Sequence, residues 1–155
     1  MDVACHECNP YLWSLGILAI LGVSAGGLGA WVWAARARAG ARAEAAAWAA
    51  GRAVRFQDRN AAFFGVRSAG WRQVRGNGVL VVTDEALWFR RLVPARTWVI
   101  PLDRVRGVST PKVFLGKTAL RPLVAVEFLG EAGTPDAAAW AVRNPQALVR
   151  ALEGA

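Results

Sequence analysis

The sequence predicts an N-terminal transmembrane helix followed by a mainly-β domain, a seven-stranded antiparallel open barrel capped by a C-terminal helix. Three observations carry that prediction. Residues 11–35, YLWSLGILAILGVSAGGLGAWVWAA, hold no charged side chain. From Trp71 onward the apolar residues recur at the spacing of strands, and after Asn144-Pro145 they recur at the spacing of a helix.

At 1.5 Å per residue the first stretch forms a helix roughly 37 Å long, enough to cross a hydrocarbon core of about 30 Å with some tilt. Tyr11 and Trp13 at one end and Trp31 and Trp33 at the other suit the headgroup level. The run is too long for a secretory signal, and acidic Asp2 and Glu7 stand where a signal needs positive charge. No Lys or Arg precedes residue 11, whereas Arg36, Arg38 and Arg42 follow the run directly. This asymmetry predicts a single-pass protein of the cell membrane, with the N-terminus outside and the C-terminal domain cytoplasmic. Ala19, Gly22, Gly26 and Ala30 lie three or four residues apart, a small-residue face that predicts homodimer packing within the membrane.

The expected organisation is an extracytoplasmic tail over 1–10, the membrane helix over 11–35, an Ala/Arg-rich helical juxtamembrane linker over 36–62 and the β domain over 63–155. The chain has 155 residues, with 19 Lys plus Arg against 11 Asp plus Glu and a formal charge of +8. Much of that excess lies beside the predicted membrane helix, where anionic lipid accounts for it better than nucleic acid does.

Within the domain, WRQVR (71–75) and VLVVT (79–83) read as strands around a tight Gly76-Asn77-Gly78 turn. Asp84-Glu85 turns the chain into ALWFRR (86–91). TWVI (97–100), VRGVSTPKV (105–113), LVAVEFL (123–129) and DAAAWAVR (136–143) complete seven strands. Alternation places Val124, Val126, Phe128, Ala138, Trp140 and Val142 inward, with Glu127 and Arg143 outward. The closing helix sets Ala147, Leu148, Ala151 and Leu152 on one side, and Trp88, Phe89, Trp98, Phe128 and Trp140 supply the bulk that a small core needs.

The order GVLVVTDEALWF, Ile100-Pro101-Leu102 before VRGV, then LGK and WAVRNPQALVRALE resembles the bacterial PH-like, or GRAM-like, domains over roughly residues 71–153. Small membrane proteins of unassigned function often carry such domains, which serve lipid, peptide and protein binding alike. Where PH domains that grip inositol phosphates use a long basic loop between their first two strands, this sequence predicts the Gly-Asn-Gly turn, with Arg72 and Arg75 nearby.

Chemistry-bearing residues are sparse. Cys5, His6 and Cys8 sit in the tail and offer no second ligand pair for a closed zinc site. With the only His and both Cys there, a base beside a nucleophile is not expected in the domain. The expectation is a non-catalytic binding module without cofactor or metal, contacting anionic membrane lipids; the alternative is a protein-protein scaffold or adaptor in a membrane complex with an unknown protein partner. The segment PKVFLGKTALRP (111–122) joins Lys112, Lys117 and Arg121 to Val113, Phe114 and Leu115. Lys112, Phe114, Leu115, Lys117 and Arg121 are therefore the candidate lipid- or partner-binding residues, a cationic rim around an apolar tip.

Overall fold

A computed structural model describes the backbone of residues 10–131 and 133–154, and the side chains of these from residue 27 onward. Cys5, His6 and Cys8, and the side chains of Ala19, Gly22 and Gly26, lie outside the described residues. Ala30 is exposed. Helix α1 spans Pro10–Ala49, and the chain divides into two compact units, Met1–Ala37 and Arg38–Ala155. Among the described residues no helix is long and apolar enough to cross a membrane; the side chains of residues 11–26, most of the predicted span, lie outside them.

The second unit is built on one antiparallel sheet. Its strands are β1 (Val54–Val66), β2 (Gly76–Thr83), β3 (Ala86–Arg91), β4 (Arg96–Pro101), β5 (Val105–Ser109), β8 (Leu123–Leu129) and β9 (Pro135–Ala141). A separate hairpin pairs β6 (Val113–Phe114) with β7 (Lys117–Thr118), and helix α2 (Pro145–Glu153) closes the chain. The spatial order β4-β3-β2-β1-β9-β8-β5 leaves β4 and β5 as unpaired edges, so the seven-stranded sheet is open.

The predicted strand 105–113 ends at Ser109, with Val113 in the separate hairpin, and two larger expectations need correction. The helix predicted through the 36–62 linker stops at Ala49, followed by Gly51 in the left-handed region at φ 76°. Residues 54–66 then form the longest strand of the sheet. Arg and Ala favour helix locally, but Ala61, Phe63 and Phe64 are buried, with Phe63 on one face of the sheet and Phe64 on the other. Burial on both faces outweighs a propensity difference of a few tenths of a kcal/mol per residue. Residues 38–62 thus belong to the same compact unit as the sheet rather than to a spacer.

The second correction concerns residues 71–78. WRQVR is loop, not strand, and Gly76-Asn77-Gly78 lies inside β2 rather than at a turn. Gly78 is needed for close approach. A Cβ there would fall 2.1 Å from the Arg90 carbonyl oxygen and 2.6 Å from the Phe89 ring. The turn between β1 and β2 is instead the segment 67–75.

Inside the sheet, Phe63, Leu80, Leu87, Phe89, Val124, Val126 and Trp140 pack with Leu148, Ala151 and Leu152 of α2. Val142 and Ala138 join them and Phe128 packs at the margin, as the alternation predicts, while Glu127 and Arg143 are exposed. The Asn144 side chain caps α2 by accepting from the Ala147 N–H at 3.1 Å, and Pro145 takes the first turn. Buried Asp58 ties β1 to the entry of α2. One of its carboxylate oxygens accepts from Asn60 N at 2.8 Å, where β1 bulges, and the other from Arg143 N at 2.8 Å.

The outer face has two coverings. Ala41, Ala45 and Trp48 of α1 lie on Val79, Val81 and Trp88, with Trp48 stacked on Trp88 at 5.9 Å between ring centroids. Arg90 holds Glu44 by a fork of two contacts, at 3.0 and 3.1 Å. The β6–β7 hairpin covers the other patch, an alanine-rich surface of β8 and β9 beside Phe64.

Candidate functional site: two cationic loops

The site begins with the loop whose second half, 71–75, the sequence placed as a strand. Residues 67–75, RSAGWRQVR, contain Arg67, Arg72 and Arg75 and no carboxylate. One side chain shapes it. The Gln73 amide accepts from Val66 N at 3.0 Å and donates to the Val66 and Gly70 carbonyls at 2.5 and 2.6 Å, imitating a strand partner for Val66. With Gln73 turned inward, Trp71 and Val74 are left 68% and 70% exposed. The Arg72 guanidinium lies over the Trp71 ring at 5.4 Å and that of Arg75 over Phe64 at 4.5 Å.

The second loop, residues 110–122, also holds three cations and no carboxylate: Lys112, Lys117 and Arg121. Its β6–β7 hairpin turns through Leu115 and Gly116, both at positive φ (49° and 70°), the backbone of a tight two-residue turn. Folding back this way carries Phe114 under the hairpin, where it is only 7% exposed among Phe64, Leu123 and Ala125, with Leu115 half-buried beside it.

Lys117 joins the loops. Its ammonium donates to the Gln73 carbonyl at 2.5 Å and the Phe64 carbonyl at 3.3 Å. Loss of water around it, and secondarily the nearby Arg75 charge, hold its pKa below the usual lysine value. Arg91 ties the first loop to the turn after β3, donating to the Val74 carbonyl at 3.4 Å and the Pro94 carbonyl at 3.0 Å.

The predicted rim is thereby reassigned. Lys112 and Arg121 are exposed as expected, but Phe114 and Leu115 form no exposed tip and Lys117 is an internal staple. Apolar side chains are drawn under the hairpin because the alanine face of β8 and β9 is too shallow to exclude water by itself. The exposed apolar residues of the loop are Val113 and Leu120, the latter fully exposed. Leu120 stands between two concavities. One, of about 310 Å³, includes Phe64, Arg75, Asn77 and Arg121 in its lining; the other, of about 570 Å³, includes Lys112, Thr118 and Arg121. Sequence reasoning missed Trp71, Val74 and Leu120. The available signal was an apolar residue beside a cation in each case, Trp71-Arg72, Val74-Arg75 and Leu120-Arg121.

In the other unit, the described end of the predicted membrane stretch exposes Leu28, Trp31, Val32 and Trp33, followed by exposed Arg36. Among the described residues no group of three or more His, Cys, Asp or Glu is placed to hold a metal ion.

No family model and no curated protein matches this chain. Among solved structures, the chain is similar to the C-terminal domain of an unknown protein from Leishmania infantum. The TM-score is 0.51 at 16% identity, over 74% of this chain and 94% of that one. The likeness is one of fold alone.

Proposed function

We propose that the protein is a single-pass, membrane-anchored PH-like binding module, non-catalytic, whose 67–75 and 110–122 loops contact anionic lipid headgroups at the cytoplasmic face. The observation that carries this reading is the pair of loops stapled by Lys117. Together they hold six cations and no carboxylate, and they expose Trp71, Val74, Val113 and Leu120. Exposed apolar side chains interleaved with cations suit a surface that is apolar below and negative above. The bare apolar side chains at 28–33 support an anchor, and the seven-stranded sheet with its closing helix supports the PH-like resemblance.

Magnitudes decide how such a module would work. Arg67 faces Glu127 at 3.5 Å and Lys117 is occupied by carbonyls, which leaves Arg72, Arg75, Lys112 and Arg121. At about 1 kcal/mol per basic residue near an anionic leaflet, four give about 4 kcal/mol, a millimolar affinity. That is weak for a free domain and ample for one whose anchor raises its local concentration.

The test uses the full-length chain in lipid vesicles, with Cys5→Ser, Cys8→Ser and an environment-sensitive fluorophore on Leu120→Cys. Emission should shift to the blue on vesicles containing anionic lipid, and the shift should fall as salt is added. Equal spectra in neutral and anionic vesicles at all salt concentrations would overturn the reading.

A further inference from the structure

Strand β5 is a sheet edge, and its free side is unsatisfied by the chain itself. The Val105 N–H donates to the Leu102 carbonyl of the preceding turn; among the described residues, the ladder bonds of Arg106–Ser109 come from β8 alone. A row of unpaired N–H and C=O groups is a template for one more strand. The other edge, β4, is also unpaired; β5 is followed directly by a residue that lines a concavity. Thr110, which follows β5, lines a cavity of about 460 Å³ with Pro122, Pro145, Gln146, Val149 and Arg150. Its walls are largely apolar, with one cation at the rim.

The surroundings set the charge of an occupant. Arg104, Arg106 and Arg150 are exposed around β5 and the cavity and, among the described residues, in no ion pair; of the two exposed carboxylates nearby, Asp103 and Glu127, the second faces Arg67. Such an edge disfavours a basic strand, which would set like charges against Arg106.

We propose that the free edge of β5 and the cavity between Thr110 and α2 bind an extended acidic peptide of a partner protein, which adds an eighth strand to the sheet. Val105 to Ser109 span about 17 Å, with an irregularity at Arg106, and Gly107–Ser109 are its regular part. Main-chain bonds along that length hold the peptide, an apolar side chain enters the cavity beside Val149, and flanking carboxylates meet Arg106 and Arg150. This surface adjoins the 110–122 loop at Thr110 and Pro122, and a peptide can bind it whether or not that loop contacts lipid.

A displayed library of random eight-residue peptides, panned on the full-length chain in neutral nanodiscs, tests the proposal. Enriched peptides should be acidic with alternating apolar residues and should slow amide exchange in Val105–Ser109. Arg106→Glu and Arg150→Glu, both at exposed positions, should each weaken the enriched peptides at least tenfold, with unchanged exchange in β8 and β9 showing that the fold is kept. Two outcomes would overturn it: no enrichment over empty nanodiscs, or enriched peptides that protect β4 or the 67–75 loop while leaving β5 unchanged.

Discussion

The two faces of the sheet are closed in different ways. The inner face is filled by bulk: Phe63, Phe89, Trp98 and Trp140 meet at ring-centroid distances of 4.7 to 5.8 Å, and α2 adds Leu148 and Leu152. The outer face is covered by two short pieces, the Ala41–Trp48 stretch of α1 and the β6–β7 hairpin. The small side chains lie in the helix in the first case and in the sheet in the second. Alanine contributes little burial per residue, so each covering depends on a few anchors. Bulk is therefore concentrated inside, and the candidate lipid contacts lie in the 67–75 loop and in the 110–122 loop that carries the hairpin.

The sharpest way to break the inner side is Trp140→Ala, which should cost about 3–5 kcal/mol in denaturant unfolding. Trp140 is fully buried, yet its indole N–H finds no acceptor among the described residues. Trp140→Phe, which removes that group with part of the ring, should therefore cost less than half as much. Equal losses for the two variants would mean that the indole N–H is satisfied in solution.

On the outer face the matching change is Phe114→Ala. Its expected cost is smaller, about 1–3 kcal/mol, because a two-strand hairpin can settle into the gap where a core cannot. Amide exchange in residues 113–118 should quicken far more than exchange in β8 or β9. Uniform quickening across the sheet would show the hairpin to be part of the same cooperative unit as the core.

The smallest effect concerns Lys117. Burial, and then Arg75, lower its pKa in the folded state, so between that value and the ordinary lysine value the unfolded chain binds more protons than the folded one. Stability contributed by this group therefore rises as pH rises through that window and is lower below it. Titration of the Lys117 side chain by NMR should give a pKa below 10.5, and Arg75→Gln should move it part of the way back. An unchanged value in Arg75→Gln would leave desolvation as the whole cause.

Much of this architecture is written in local sequence. The strands 86–91 and 123–129 have the predicted bounds, the turn at Asp84-Glu85 is present, and α2 begins at Pro145 with the expected buried side. These elements are legible because each has one buried face and a turn or cap of definite chemistry at its end. The candidate site was legible only as composition: cations beside apolar residues in 111–122, without knowledge of which apolar residues turn inward. Phe114 and Leu120 sit in the same loop with similar hydrophobicity, and one is buried while the other is bare.

By itself the sequence determined the strands at 79–83, 86–91, 97–100 and 123–129, the closing helix, the charge of the loops and the apolar stretch at 11–35. The tertiary structure decided that 54–66 is a strand, that Gly76-Asn77-Gly78 lies within β2, and that Gln73 and Lys117 bind the two loops together. The physical reason is the range of the interactions. Periodicity and capping act within a few residues, whereas β1 is held by partners in β2 and β9, and Lys117 by carbonyls 44 and 53 residues away. Contacts of that separation leave no periodic trace in the segments they join.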